Sequence, residues 1–138
     1  MSLSTPSAPV EALSLLHGAS DPPLLDLTLS DVLDIQTALH GPKECLIIPW
    51  TGARWTYDEL SRQSHLLARA LLGFGIRAGD RVGIMAGNCE QYAAVFFAVC
   101  RVGAVLVVLN NTYTGREVRF ALRFTGRLFS SSFEGLGY

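Results

Sequence analysis

Gly73, Gly75 and Gly79 form the run in this chain that most resembles a phosphate cradle. Such loops work because glycine lets backbone amides approach phosphate oxygens at the positive end of a following helix. Here the spacing is G-x-G-x-x-x-G, and the run follows an apolar-periodic helix instead of opening one. A helix stop and turn is the better reading, and the G-K-(S/T) pattern of a P-loop is absent from the sequence.

Other reactive residue types are similarly dispersed. His17, His40 and His65 have no H-x-x-x-H or H-E pairing, and His65 falls at the edge of an apolar helical arc, so it reads as a boundary residue. Cys45, Cys89 and Cys100 are odd in number, lack C-x-x-C spacing and sit in apolar segments. They read as buried free thiols in a reducing compartment. Ser130-Ser131-Ser132 has no strand-to-helix elbow and reads as tail. Arg116, Arg119 and Arg123 share one face of the last helix, opposite Val118, Ala121, Leu122 and Thr125. A solvated face is the first reading of that stripe and an anion-binding surface the second. Phe120 and Phe124 stand beside it, outside the apolar arc, as a surface for a neighbouring subdomain would. No residue is assigned a catalytic, cofactor-binding or metal-binding role.

The elements that would position such residues are clearer. The chain has 138 residues, 49% apolar and 17% charged, which suits one domain with an ordinary core. A net charge of -1 gives no global pull toward nucleic acid or an acidic surface. Residues 1–27 read as a loose lead rich in Ser, Ala and Pro, with a short helix near Val10 to Leu16. Residues 28–125 read as an α/β domain and residues 126–138 as a divergent, disordered tail. Met1 to Pro42 holds no Lys or Arg, so it suits neither a secretory nor a mitochondrial leader, and the cytoplasm is the default location.

Thr28 caps a first helix with Asp31 in its first turn, and His40-Gly41-Pro42 ends it, with Gly41 in a left-handed turn. Glu44 to Trp50 and Arg54 to Thr56 read as a strand and its return. Thr56-Tyr57-Asp58-Glu59 is a capping-box pattern. The helix it opens runs to about Phe74, with Tyr57, Leu60, Leu67, Ala68, Leu71, Leu72 and Phe74 on its apolar arc. Arg81 to Ala86 is the next strand, and Asn88 caps a helix apolar on every side from Tyr92 to Cys100. Gly103 ends that helix before Ala104 to Leu109, a strand expected to be covered on both faces. Although Tyr92 to Leu109 approaches the roughly 20 apolar residues of a membrane span, Arg101 and Gly103 divide it. A last helix runs from about Thr114 to Thr125. Strands alternating with helices predict a mostly parallel sheet.

In that order the segments resemble a known family. Trp55-Thr56-Tyr57-Asp58-Glu59-Leu60 resembles the (L/W)-T-Y-x-E-L signature of the AMP-forming adenylating enzymes. Leu71-Leu72-Gly73-Phe74-Gly75-Ile76-Arg77-Ala78-Gly79-Asp80-Arg81-Val82 resembles their L-x-x-x-G-(I/V)-x-x-G-D-(R/V)-V segment. Asn88 matches x-N-x-x-(E/Q)-x, Arg101-Val102-Gly103-Ala104-Val105 resembles K-x-G-A-V, and Asn110-Asn111-Thr112-Tyr113-Thr114 resembles N-P-x-Y-T. Asn110 and the Tyr113-Thr114 pair look more like the fatty-acyl and aryl-CoA synthetase branch, and the chain as a whole is most similar to the fatty-acyl/medium-chain acyl-CoA synthetases. Asn111 departs from the usual Pro, and nothing after Thr125 matches.

The resemblance implies a partial N-terminal subdomain of the AMP-binding ligase fold. It also implies a two-step reaction in the intact enzyme, with ATP, Mg²⁺ and CoA as cofactors and a carboxylic acid, of the fatty-acid class, as substrate. A carboxylate attacks the α-phosphate of ATP to give an acyl-adenylate and pyrophosphate, and the CoA thiol then displaces AMP. The phosphate loop, the nucleotide contacts and the catalytic Lys all belong downstream of the matched segment. The expectation is therefore an N-terminal piece, truncated or misjoined after Thr125, inactive alone and partnered by the missing remainder or a full-length relative. Two rival readings are a non-catalytic regulator of such a relative and a small protein that binds anions or a membrane surface.

Overall fold

A computed structural model describes Gly18, residues 21–125 and Leu128–Ser130. In chain order the elements are α1 (Leu29–His40), β1 (Glu44–Ile48), β2 (Ala53–Thr56), α2 (Tyr57–Gly73), β3 (Arg81–Ile84), α3 (Glu90–Val102), β4 (Val105–Val108), α4 (Gly115–Phe124) and β5 (Leu128–Ser130). The helix expected near Val10 to Leu16 and the residue His17 lie outside the described residues.

Local chemistry sets most of these boundaries. Thr28 accepts from the Asp31 amide at 3.2 Å while the Asp31 carboxylate accepts from the Thr28 amide at 2.9 Å, a complete capping box. Thr114 and Glu117 form a second one at α4. The box expected at Thr56 is only half made. Thr56 accepts from the Glu59 amide, but the Glu59 carboxylate turns to Arg62 and Gln63. Cys89, not Asn88, is the N-cap of α3, and its side chain makes no capping bond. The Asn88 carbonyl instead accepts from Trp50 Nε1 at 2.9 Å, tying the β1–β2 turn to the start of α3.

Two glycines differ in their reasons. Gly41 is not left-handed: its φ is -33°. It is small because Asp58 approaches closely, and a Cβ there would meet the carboxylate at 2.5 Å. Gly103 is left-handed at φ 75°, and a Cβ on it would lie 3.3 Å from the Ala78 Cβ. Gly103→Ala is expected to cost about 1–2 kcal/mol, the sum of a left-handed side chain and a crowded neighbour. Urea unfolding followed by circular dichroism measures it; an unchanged midpoint would refute the strain argument.

β1 and β2 form an antiparallel pair, with Ile47 opposite Arg54 and Ile48 opposite Ala53. The other sheet is wholly parallel, ordered β4-β3-β5, with Val82 opposite both Leu106 and Phe129. A strand therefore follows Thr125, inside the segment read from sequence as tail; its three residues were too few to stand out among Ser and Gly. The core sits where α2 and α3 cover β3. Val82, Ile84, Val95, Val99 and Ile76 are buried together, with Leu67, Leu71 and Leu106 packed against them. Leu33, Leu60 and Ala94 join α1 to the same helices. Burying each such large side chain stabilises by about 1.5–3 kcal/mol.

Three burial expectations need correction. Leu72 and Phe74 are exposed: at about 100° per residue they stand at the two edges of the α2 arc, whose middle is what the neighbouring elements cover. β4 is not covered on both faces: among the described residues it is an edge strand, and Val105 and Val108 are exposed. The three cysteines are free but half-buried, not fully buried. Burial raises the Cys45 and Cys100 thiol pKa values, which disfavours thiolate chemistry.

Candidate functional site

The glycine-rich run lies where α2 ends. Ile76 donates to the Leu71 carbonyl at 3.0 Å and Gly75 to the Leu72 carbonyl at 3.0 Å, so these amides close a helix and are not offered to a ligand. The Arg77 amide donates to the Asp80 carboxylate at 2.8 Å, which fixes the following turn. The run is a helix stop, as its spacing implied. His40 packs its ring 6.2 Å from that of Tyr57. His65 is exposed with Nε2 3.8 Å from Asp34, so neither histidine is set against a nucleophile. Ser130 lies in β5; Ser131 and Ser132 lie outside the described residues.

The structure gathers one polar cluster that the sequence reading did not assemble. Arg101, near the end of α3, has a side chain only 8% exposed. Its guanidinium donates to both Asp34 carboxylate oxygens on α1, at 2.8 and 2.5 Å. It also donates to Ser64 Oγ at 2.9 Å and Ser61 Oγ at 3.4 Å on α2, while Ser64 Oγ donates to the Ser61 carbonyl at 2.8 Å. One side chain thus ties three helices. The Arg101 guanidinium bonded to Asp34 holds that carboxyl below the usual carboxylate range.

The signal for this cluster was present in α2. At about 100° per residue, Ser61 and Ser64 fall in the middle of the apolar arc. Two small polar residues inside an otherwise apolar stripe mark a place where a polar group must arrive from a neighbour. The cluster borders an open groove lined by Ser30, Asp31, His65 and Arg69. Four bonds from its arginine go to Asp34, Ser61 and Ser64, and its acid is paired with that arginine, so its chemistry is that of a clamp.

A second concavity lies between β4 and α4. It is an open cleft of about 490 Å³ lined by Val107, Leu109, Tyr113, Phe120 and Ala121, with Arg116 and Glu117 at its rim. Arg116, Arg119 and Arg123 are all exposed, and Phe120 is 73% exposed. The side chain of Phe124 is outside the described residues.

Among the described residues no three of His, Cys, Asp and Glu group together as metal ligands. The carboxylates nearest the two concavities are committed to Thr28, Arg101 and Thr114. No helix of the described residues is long and apolar enough to cross a membrane; Tyr92–Leu109 is divided between α3 and β4.

Residues 33–127 match the protein family described as AMP-binding enzyme. Acyl-CoA ligase sidI of Beauveria bassiana (strain ARSEF 2860) is 65% identical over 115 residues, which make up 83% of this chain and 20% of that protein. The solved Klebsiella oxytoca NpsA N-terminal subdomain is similar in fold, with a TM-score of 0.69 at 24% identity, over 79% of this chain and 29% of that one. A Mycobacterium tuberculosis fatty acyl CoA synthetase superposes with a TM-score of 0.66 at 26% identity, over 69% of this chain and 19% of that one. This chain spans about a fifth of the length of the curated relative it matches. Its α/β arrangement, with the β4-β3-β5 sheet under α2 and α3, is part of the same N-terminal subdomain fold.

Proposed function

The chain belongs to the AMP-binding enzyme family, and from that premise we propose that it is the N-terminal part of an ATP-dependent carboxylic acid–CoA ligase acting through an acyl-adenylate. The 65% identity to an acyl-CoA ligase carries this reading. ATP, Mg²⁺ and CoA are then cofactors of the intact enzyme, a fatty acid is its substrate class, and the cytoplasm is the location we propose for this chain.

This segment's own contribution is scaffolding. The clamp formed by Arg101, Asp34, Ser61 and Ser64 fixes α1, α2 and α3 to one another, and the β4 edge and α4 are left facing outward for the remainder of the enzyme. The segment carries no Gly/Ser/Thr-rich loop ending in Lys to grip a triphosphate. The 138-residue chain alone is therefore expected to release no pyrophosphate from ATP with any of a panel of short-, medium- and long-chain fatty acids. Substrate-dependent pyrophosphate release by the pure chain, abolished by omitting the acid, would overturn that.

A second reading rests on β4. Val105 and Val108 are 51% and 62% exposed on an edge strand, and exposed apolar edges are templates for strand pairing. A regulator that docks on a full-length relative would use that edge. Co-purification with such a relative, lost in Val108→Lys, favours the regulator; a chain that ignores the relative in pull-downs removes it.

A further inference from the structure

α1 differs from the other helices in what it turns outward. At about 100° per residue, Ser30 and Leu33 stand on its buried side, while Val32, Ile35, Ala38 and Leu39 stand on the far side. Ile35 and Leu39 are 44% and 65% exposed there, and Val32 is only half-buried. Elsewhere the outward side is charged: α2 turns Arg62 and Arg69 to water, and α4 turns Arg116 and Arg119. A surface helix needs one apolar stripe for the core and a polar one for solvent. α1 has two apolar stripes instead, and Val32, Ile35 and Leu39 keep the i, i+3, i+7 spacing that receives another helix. Just upstream, Leu24 and Leu25 are exposed as well. Apolar surface gathered in this way marks a face that something covers.

We propose that residues 10–16 of this same chain cover that outer stripe, seating Leu13 and Leu16 against Ile35 and Leu39. At helical spacing Ala12, Leu13 and Leu16 share one arc, with Glu11 and Ser14 off it. These residues lie outside the described ones, and residues 18–28 join them to α1. At about 3.3 Å per extended residue, that connection reaches roughly 36 Å, about twice the length of a 12-residue helix. The lead is therefore long enough to fold back along all of α1. Tethering gives it an effective concentration on the order of millimolar, which favours it over a second copy in dilute solution. Met1 to Pro42 holds no Lys or Arg, and Asp31 and Asp34 lie beside the stripe, so an anionic bilayer is repelled. The family match begins at residue 33, so this cover comes from outside the shared subdomain and needs no nucleotide or acyl substrate.

Methyl-labelled NMR of the full 138-residue chain tests it. Nuclear Overhauser contacts between the methyls of Leu13 or Leu16 and those of Ile35 or Leu39 are expected, unchanged on dilution. Leu13→Asp should erase them and speed amide exchange in α1 by about 10-fold. Ile35→Asp should do the same, and the double variant should go no further than either alone, because each breaks the same contact. The first arm uses the unaltered chain, so it decides even where a variant fails to fold. Absence of those contacts would overturn the assignment. Contacts that fade on dilution, with a dimer in sedimentation, would overturn it in favour of a second copy. Protection of α1 that ignores Leu13→Asp would give the face to another occupant, and binding to phosphatidylserine vesicles that Ile35→Asp abolishes would give it to a bilayer.

Discussion

Asp34→Ala is expected to destabilise the chain by about 2–4 kcal/mol, more than removal of its buried partner does. The asymmetry follows from burial. The Arg101 side chain is 8% exposed while that of Asp34 is 48% exposed. Deleting the carboxylate strands a desolvated guanidinium; a full stranding costs about 3–5 kcal/mol, and the exposure of Asp34 discounts it. Arg101→Leu instead removes the buried charge, keeps an apolar stem among the helices and releases Asp34 to water. It forfeits the bonds to Ser61 and Ser64, at about 1–2 kcal/mol.

The same pair sets an acid dependence. The Asp34 pKa is lowered in the folded state, first by its hydrogen bond from Arg101. Stability from this carboxylate is thus full above the ordinary Asp value of about 3.9 and is lost as pH falls through the lower folded value. Asp34→Ala should lack that step, so the gap between the two proteins should close in acid. Urea titrations at several pH values decide the matter. Equal losses in both single variants, or a gap that persists in acid, would remove the clamp.

Ala98→Leu is expected to cost about 1–3 kcal/mol despite adding apolar surface. Ala98 is 0% exposed and Ala94 1% exposed on α3, while Ser64 and Ala68 are 0% and 6% exposed on α2. These two helices make the most extensive contact of any pair of elements, and small residues on both set how closely they approach. An added isobutyl group has no void to fill, so the helices must separate and loosen Arg101 from Ser64. Typical domains have only ~5–15 kcal/mol in hand. A lower thermal midpoint together with weaker amide protection in α2 and α3 would bear this out. A leucine that leaves the midpoint unmoved would show slack in the interface.

The helices were legible because their signals are local. Thr28 with Asp31 three residues on, the apolar arc of α2 and the left-handed stop at Gly103 are each written within a few residues. The ordered motifs from Trp55 to Thr114 were legible for the same reason, and their order and spacing point to the family. Less legible were features that depend on a distant partner. Asn88 was a plausible cap, yet its carbonyl serves Trp50 and the helix begins one residue later. Gly41 looked like a left-handed stop, yet its smallness answers to Asp58.

The sequence by itself determined the alternation of helices and strands, the family and the lack of a phosphate loop among its own residues. Those follow from periodicity, caps and motif order, which a single stretch of chain expresses unaided. Only the tertiary structure decided that Arg101 meets Asp34, Ser61 and Ser64, that β4 is an edge with exposed valines, and that β5 lies beside β3. Each of these joins segments far apart in the chain, and a one-dimensional pattern records which residues want burial but not which surfaces will meet to provide it.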